Sequence, residues 1–258
     1  MLNCTPDSFS DGGRFASVEA AVAAGLAMAG EGADWIDVGG ESTRPRAEPV
    51  SEAIERQRVV PVIEGLRQRL PATVRISIDT YKAGTARAAL AAGAAVVNDV
   101  SGGRLDPAIL RVAAEAGAAV VLGHLRGAPA TMMVDVAFGD VLAEVAAELN
   151  ERIVGARAVG CQEIWADPGI GFGKRIEHNL ALLRGLPALR AELQVPLMVG
   201  VSRKAFIGEL TGKPAAERAS GTAAALTVAV LGGAAAVRVH DVGAARDVVK
   251  VARALGRD

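Results

Sequence analysis

Apolar residues along this chain fall into two alternating patterns. Short, largely apolar runs such as Trp35 to Val38, Ile76 to Ile78, Val96–Val97, Val120 to Leu122, Ile164 to Ala166, Leu197 to Val201 and Val237 to Val239 read as strands. Runs that are apolar on both faces indicate a buried parallel sheet. Between them apolar positions recur at helical spacing: Val59, Val62, Ile63, Leu66 and Leu70 make one buried face, and Val141, Leu142, Val145, Leu149 and Ile153 another. The pattern predicts helices from Ser17 to near Gly30 or Gly32, from a Ser51 cap through Leu70, from about Lys82 to Ala92, and from Pro107 to Gly117. Further helices are expected around Val141 to Ile153, from about Glu177 to Leu193, from about Glu217 to Leu231, and from Ala244 onward. Pro61 should kink or restart its helix, because it removes a backbone donor and its ring crowds the preceding turn. Gly-Ala pairs at 32–33, 93–94, 117–118 and 233–234 each precede a strand, which suits a helix C-terminal turn. Met1 to Cys4 reads as the last positions of a first strand. Eight strands alternating with eight helical regions predict an α/β chain folded as a single (β/α)8 TIM barrel over residues 1–258, with a shortened first strand.

The strands also end alike. In Glu163 to Lys174, Glu-Ile-Trp-Ala-Asp-Pro-Gly-Ile-Gly-Phe-Gly-Lys, an apolar run reaches Asp167, and Pro168 with Gly169 stops the extended chain. Other runs reach Asp79, Asn98 with Asp99, His124 and His240. In a (β/α)8 barrel the C-terminal strand ends form the active rim, so these groups should converge there. Any one of Asp79, Asn98 and Asp167 is equally well read as a helix cap. Together they suit the amino-pyrimidinone edge of a heterocycle: a carboxylate accepts two parallel N–H bonds, while an asparagine both donates and accepts. Lys204, beyond the strand ending at Val201, is placed to donate to a ring atom. Arg44, Arg203, Arg238 and His240 form a cationic set. Arg238 lies inside an apolar strand, where a charge needs a partner, and a diphosphate is a suitable one. His124 reads as a hydrogen-bonded strand residue and His178 as a helix-start residue.

Composition excludes several classes. With 258 residues, 51% hydrophobic, the chain has ample core-forming material, and a net charge of −1 gives no pull toward nucleic acid or an acidic membrane. The uncharged run from Ala219 to Val237 is long enough to span a bilayer. Ser220, Thr222, Thr227 and the Gly232–Gly233 break instead predict a buried helix followed by a strand. Cys4 and Cys161, both in apolar, strand-like surroundings, match neither a disulfide framework nor a zinc site, which points to a reducing cytoplasm. The glycines around Lys174 lack Walker spacing, and Arg175 follows the lysine; they are read as letting backbone approach a flat ligand. Paired Cys or His spacing for a metal cage is absent, but a loosely held magnesium needs only one or two protein oxygens, of which Asn3 is a candidate. Thr5 to Gly13 is expected to be a mobile loop.

These motifs in this order resemble the dihydropteroate synthases of folate biosynthesis over nearly the whole chain. The resemblance rests on Leu2 to Gly13, Asp37 to Pro45, Ile78-Asp79-Thr80, Asn98-Asp99, Asp167 to Lys174, Ser202-Arg203-Lys204 and Arg238 to Asp241. It implies condensation of 6-hydroxymethyl-7,8-dihydropterin diphosphate with 4-aminobenzoate in a cytoplasmic homodimer. By that likeness Asp79, Asn98, Asp167 and Lys204 hold the pterin and Arg238 stacks beside it. Asn3 meets Mg2+, and Thr43, Arg44, Arg238 and His240 face the diphosphate. Phe9, Pro45, Phe172 and Ser202 surround the aminobenzoate, while Asp7 and Asp11 close over the amine. A corrinoid methyltransferase with the same pterin barrel, which has no diphosphate to hold, and a noncatalytic pterin-binding paralogue are the rival readings.

Overall fold

The computed structural model describes residues 1–4, 18–43 and 47–256. Its strands are β1 (Leu2–Asn3), β2 (Trp35–Gly39), β3 (Arg75–Asp79), β4 (Val96–Asp99), β5 (Ala119–Gly123), β6 (Ile164–Asp167), β7 (Met198–Gly200) and β8 (Ala236–Arg238). The first six form one parallel sheet in chain order, and β7 pairs with β8. An Ala166–Leu197 bridge links β6 to the chain entering β7, and the Met1 amino group donates to the Val239 carbonyl at 2.7 Å across the β8–β1 seam. The fold is the expected (β/α)8 barrel, with a first strand of two residues.

Strand residues alternate between two cores. Ile36, Val38, Ile76, Ile78, Val97, Val120, Leu122 and Ala166 point outward into a large apolar layer shared with the helices. Val96, Ala119, Val121 and Met198 point into the barrel, where Trp35, Trp165 and Ala236 pack against them. Trp35 and Trp165 meet edge-to-face at 5.0 Å and fill the lower lumen. Both strand faces are therefore covered, which is the reason the sequence shows continuous apolar runs in place of strict alternation.

The helices are α1 (Val18–Gly30), α2 (Glu52–Arg69), α3 (Ala83–Ala91), α4 (Ala108–Glu115), α5 (Val141–Ala158), α6 (Ile176–Arg184), α7 (Leu186–Leu193), α8 (Ala205–Thr211), α9 (Ala219–Leu231) and α10 (Val242–Leu255). Ser51 caps α2 by accepting a bond from the Ile54 amide. Three expectations need correction. Pro61 neither ends nor restarts α2, because Val59, Val62, Ile63 and Leu66 bury a continuous face across it. The helix expected from Glu177 to Leu193 is two, divided at Gly185 with Pro187 in the first turn of the second. The short α8 between β7 and α9 is an addition; its seven residues are too few to display a helical period. Cys4 and Cys161 flank strands and lie in none, and both are free thiols. The glycines of the Gly-Ala pairs do have positive φ, from 62° at Gly117 to 113° at Gly93. The Ala219 to Val237 run resolves into α9 and the start of β8, and no helix among the described residues is long and apolar enough to cross a membrane.

Candidate active site

Strand register assembles the rim. Asn3 pairs with Gly39, Gly39 with Asp79, and Asp79 with Asn98, so residues from four strands occupy one level. Paired residues of a parallel sheet share a face, here the lumen. Asp37 and Ser77 form the level below, and Asp167 sits opposite Gly123 at the end of β6.

Arg238 at the end of β8 is the hub. Its Nε donates to Asp37 Oδ2 at 2.6 Å and its Nη2 to Asp79 Oδ2 at 2.5 Å, while Asn98 Nδ2 donates to the same Asp37 oxygen at 3.2 Å. The half-buried arginine thus finds its partners within the protein, in two carboxylates, where the sequence suggested a diphosphate. Burial raises the Asp37 carboxyl, but the charge of Arg238 and the bond it donates outweigh this and hold Asp37 below the usual carboxylate range. Asp79 is pushed up to about 7, first by burial and then, against the pull of Arg238, by the charges of Asp37 and Glu55. Burial lowers the Arg238 guanidinium, yet the two carboxylates more than reverse this, so it stays charged.

Across the rim Asp167 accepts a bond from the Gly169 amide at 2.7 Å and is raised by burial, with Lys204 and Arg238 acting against that. Lys204 comes down to about 8, mainly by burial; the fields of Asp167 and Asp79 raise it and that of Arg238 lowers it. These mutual fields mean that Asp79, Asp167, Lys204 and Arg238 lie close enough to act on one another's charge. The Lys204 ammonium lies 3.9 Å from the Phe172 ring centroid. His240 Nδ1 is 3.0 Å from Ser202 Oγ, and burial, followed by neighbouring cations including Arg203 and Arg238, drives it to about 3. It is therefore a neutral imidazole, not a member of a cationic set, and Arg203 is exposed. Thr43 lies half-buried in the loop after β2; Asp7, Phe9, Asp11, Arg44 and Pro45 lie outside the described residues.

The glycine loop after Asp167 is built around Lys174, which is 4% exposed. Its Nζ donates to the carbonyls of Gly169 and Phe172, each at 3.0 Å, and lies 3.0 Å from His124 Nδ1. Lys174 thus supports the loop from inside and offers no charge to a phosphate. Gly169 has φ 69°, and a Cβ there would sit 2.0 Å from the His124 carbonyl oxygen, so only glycine fits. His178 closes the start of α6 by accepting from the Arg175 amide, the structural role expected of it.

His124 is fully buried, with Nε2 3.1 Å from Glu148 Oε2. With the Lys174 ammonium donating to Nδ1, the neutral ring carries its proton on Nε2, which lies near Glu148 without a well-aligned hydrogen bond to it. Burial, and after it the charges of Lys174, Arg152 and Arg126, hold the imidazole near 2. A histidine depressed in the folded state contributes stability that is present above its ordinary value of 6.5 and is lost as pH falls toward the folded value. Urea unfolding at pH 7 and pH 5 should show the protein losing about 2 kcal/mol more than a His124→Asn variant, which keeps a donor and an acceptor but does not titrate. Equal losses would show that His124 is already protonated in the fold.

Asp37 is the residue that sequence reasoning passed over as a site group. The signal was available: a carboxylate between Ile36 and Val38 inside an apolar strand needs a partner for the reason Arg238 does. Glu41, Tyr81 and Lys82 were also passed over, because nothing local reveals that they meet.

The family model for pterin binding enzymes matches residues 1–240. The chain belongs to that family. A dihydropteroate synthase of Synechocystis sp. is 48% identical over 100% of this chain and 89% of its own length. The Yersinia pestis dihydropteroate synthase, solved as a sulfonamide drug complex, superposes with a TM-score of 0.93 at 39% identity, covering 98% of this chain and 92% of its own. The Xanthomonas albilineans enzyme, in complex with 7,8-dihydropteroate, does so with a TM-score of 0.86 at 43% identity, covering 98% and 91%. The similarity to those enzymes extends over nearly the whole of this chain.

Proposed function

We infer that the chain is a dihydropteroate synthase, joining 6-hydroxymethyl-7,8-dihydropterin diphosphate to 4-aminobenzoate and releasing diphosphate. The observation that carries this reading is the rim itself: Arg238 fixed between Asp37 and Asp79, beside Asn98, and facing Asp167 and Lys204. Asp167 and Asp79 accept the ring N–H groups, Asn98 reads the adjoining edge, and Lys204 donates to the ring from the Phe172 side. Arg238 flanks the ring. Thr43, Arg44 and His240 receive the diphosphate, with neutral His240 acting as a hydrogen-bond donor.

In the reaction the pterin methylene carbon loses its bond to the diphosphate oxygen and gains one to the aminobenzoate nitrogen, which sheds a proton to water. Positive charge grows on the pterin and negative charge on the leaving group. Carboxylates around the ring and cations toward the departing oxygen stabilise both ends. An arylamine is neutral near pH 7 and nucleophilic as it stands, so the step needs no dedicated base. Phe172 and Ser202 border the amine; Asp7, Phe9, Asp11 and Pro45, to which the resemblance gives a part in this step, lie outside the described residues.

Asn3 is the residue that would meet magnesium. An ion that draws most of its ligands from phosphate and water needs only one or two protein oxygens. Asn3, on the same level as Asp79 and Asn98, supplies one hard oxygen. When bound, the ion neutralises charge on the diphosphate.

Exposed Val228 and Leu231 on α9, beside Val251 and Leu255 on α10, support a homodimer through this face. Free Cys4 and Cys161 suit a reducing cytoplasm. The deciding experiment is diphosphate release by the purified protein with both substrates and Mg2+. Release that depends on 4-aminobenzoate is expected; release without it, or none, overturns the reading, the first favouring hydrolysis and the second a noncatalytic pterin binder.

A further inference from the structure

Lys174 is a buried charge with no part in the bond-making step. Among the described residues, four uncharged acceptors surround its Nζ: the carbonyl oxygens of Gly169 and Phe172 at 3.0 Å, that of His124 at 3.3 Å, and His124 Nδ1 at 3.0 Å. An ammonium has three donors, so one is shared. Burial brings Lys174 down to about 7 against the raising field of Asp167, so its charge is held at a cost that an apolar side chain would not incur. What the lysine gathers is the segment that follows β6 at the rim. Gly169 gives its carbonyl to the ammonium and its amide to Asp167 Oδ1, at 2.7 Å. Phe172, whose carbonyl is held in the same way, presents its ring 3.9 Å from the Lys204 ammonium. Gly171 lies against Lys204 as well, since a Cβ there would sit 2.8 Å from Lys204 Cδ. Gly169, Gly171 and Gly173 have φ of 69°, 80° and 59°, and a backbone with that much glycine keeps one shape only where it is tied. Asn179 of α6 accepts a bond from the Gly171 amide at 2.7 Å, and Lys174 supplies the ties on either side of it.

We propose that Lys174 is a positioning residue: by drawing the Gly169 and Phe172 carbonyls onto one buried ammonium, it fixes the Asp167 carboxylate and the Phe172 ring where they meet the two substrates. This rests on the reading of Asp167 as the pterin acceptor and of Phe172 as a wall of the aminobenzoate site. The lysine acts through the backbone of residues 169–173. It therefore governs the binding of both substrates more than the bond change itself.

The test is a double-mutant cycle in steady-state kinetics, pairing Lys174→Met, which keeps the length of the side chain and removes its donors, with Phe172→Ala. Lys174→Met should raise the KM for 4-aminobenzoate by about tenfold, weaken 6-hydroxymethylpterin in calorimetry by a similar factor, and lower kcat by about threefold or less. In the Phe172→Ala background the same lysine change should move the aminobenzoate KM by less than about twofold, because the ring through which it acts is gone. An aminobenzoate KM within about twofold of the parent in folded Lys174→Met, or equal KM effects in both backgrounds, overturns the proposal. A Phe172→Ala protein with the parent's aminobenzoate KM overturns instead the placement of Phe172 beside that substrate. Thermal melting identifies a variant that fails to fold. If Lys174→Met does, Lys174→Gln, which offers two donors to the four acceptors, takes its place with a smaller shift expected, and an unchanged aminobenzoate KM in it refutes the proposal. If neither folds, Lys174 serves the stability of the fold alone and the proposal is likewise refuted.

Discussion

Replacing Arg238 by alanine is expected to lower kcat/KM by about 100-fold or more, on the order of 3 kcal/mol of charge stabilisation. Two losses combine. The pterin loses the planar group that flanks it, and Asp37 with Asp79 loses the charge that holds two shielded carboxylates in place on one rim, where they stabilise the positive charge growing on the ring. With the guanidinium gone, the pair can keep at most one ready negative charge, so Asp79 takes up a proton more firmly and the ring-binding edge changes character. Arg238→Lys separates the two losses. A lysine restores a positive charge but cannot present two fixed donors to two carboxylates at once. It should therefore recover part of the rate and little of the pterin affinity. Steady-state rates of Arg238→Ala within threefold of the parent would refute the assignment.

Asp167→Ala is expected to abolish measurable pterin binding in calorimetry. The Asp167 carboxylate has one oxygen engaged by the Gly169 amide, which orients it, and it faces Lys204 across the site. Burial raises it, so its remaining accepting capacity is worth more to a pair of ring N–H donors than an exposed carboxylate's would be. Alanine removes that acceptor and leaves Lys204 without its main counter-charge. Asp167→Asn tests the mechanism more narrowly. It keeps the shape and an acceptor but exchanges one accepting oxygen for a donor that opposes the ring N–H, so it should bind almost as poorly as alanine. An asparagine variant with near-parental affinity would mean that the pterin is held elsewhere.

Much of this was legible in one dimension. A strand covered on both faces must be apolar throughout, so its first charged or amide residue marks where the cover ends; Asp79, Asn98 and Asp167 announce the rim in that way. Helices betray themselves by one apolar face and a cap, as α2 does with Ser51. Where a period has too little length, as in α8, or where two short helices share one face across Gly185, the pattern cannot place the break.

Partnership is what the chain order by itself left open. The sequence determined the alternation of strand and helix, the barrel, and the residue types at each strand end. Only the tertiary structure decided that Arg238 meets Asp37, 201 residues away, and Asp79, 159 away, or that Lys174 turns inward to support a loop while Lys204 faces the site. The physical reason is that periodicity records how much of each residue is shielded from water, a local quantity. Which charges neutralise one another depends on strand register and barrel closure, and those exist only once every strand has found its neighbours.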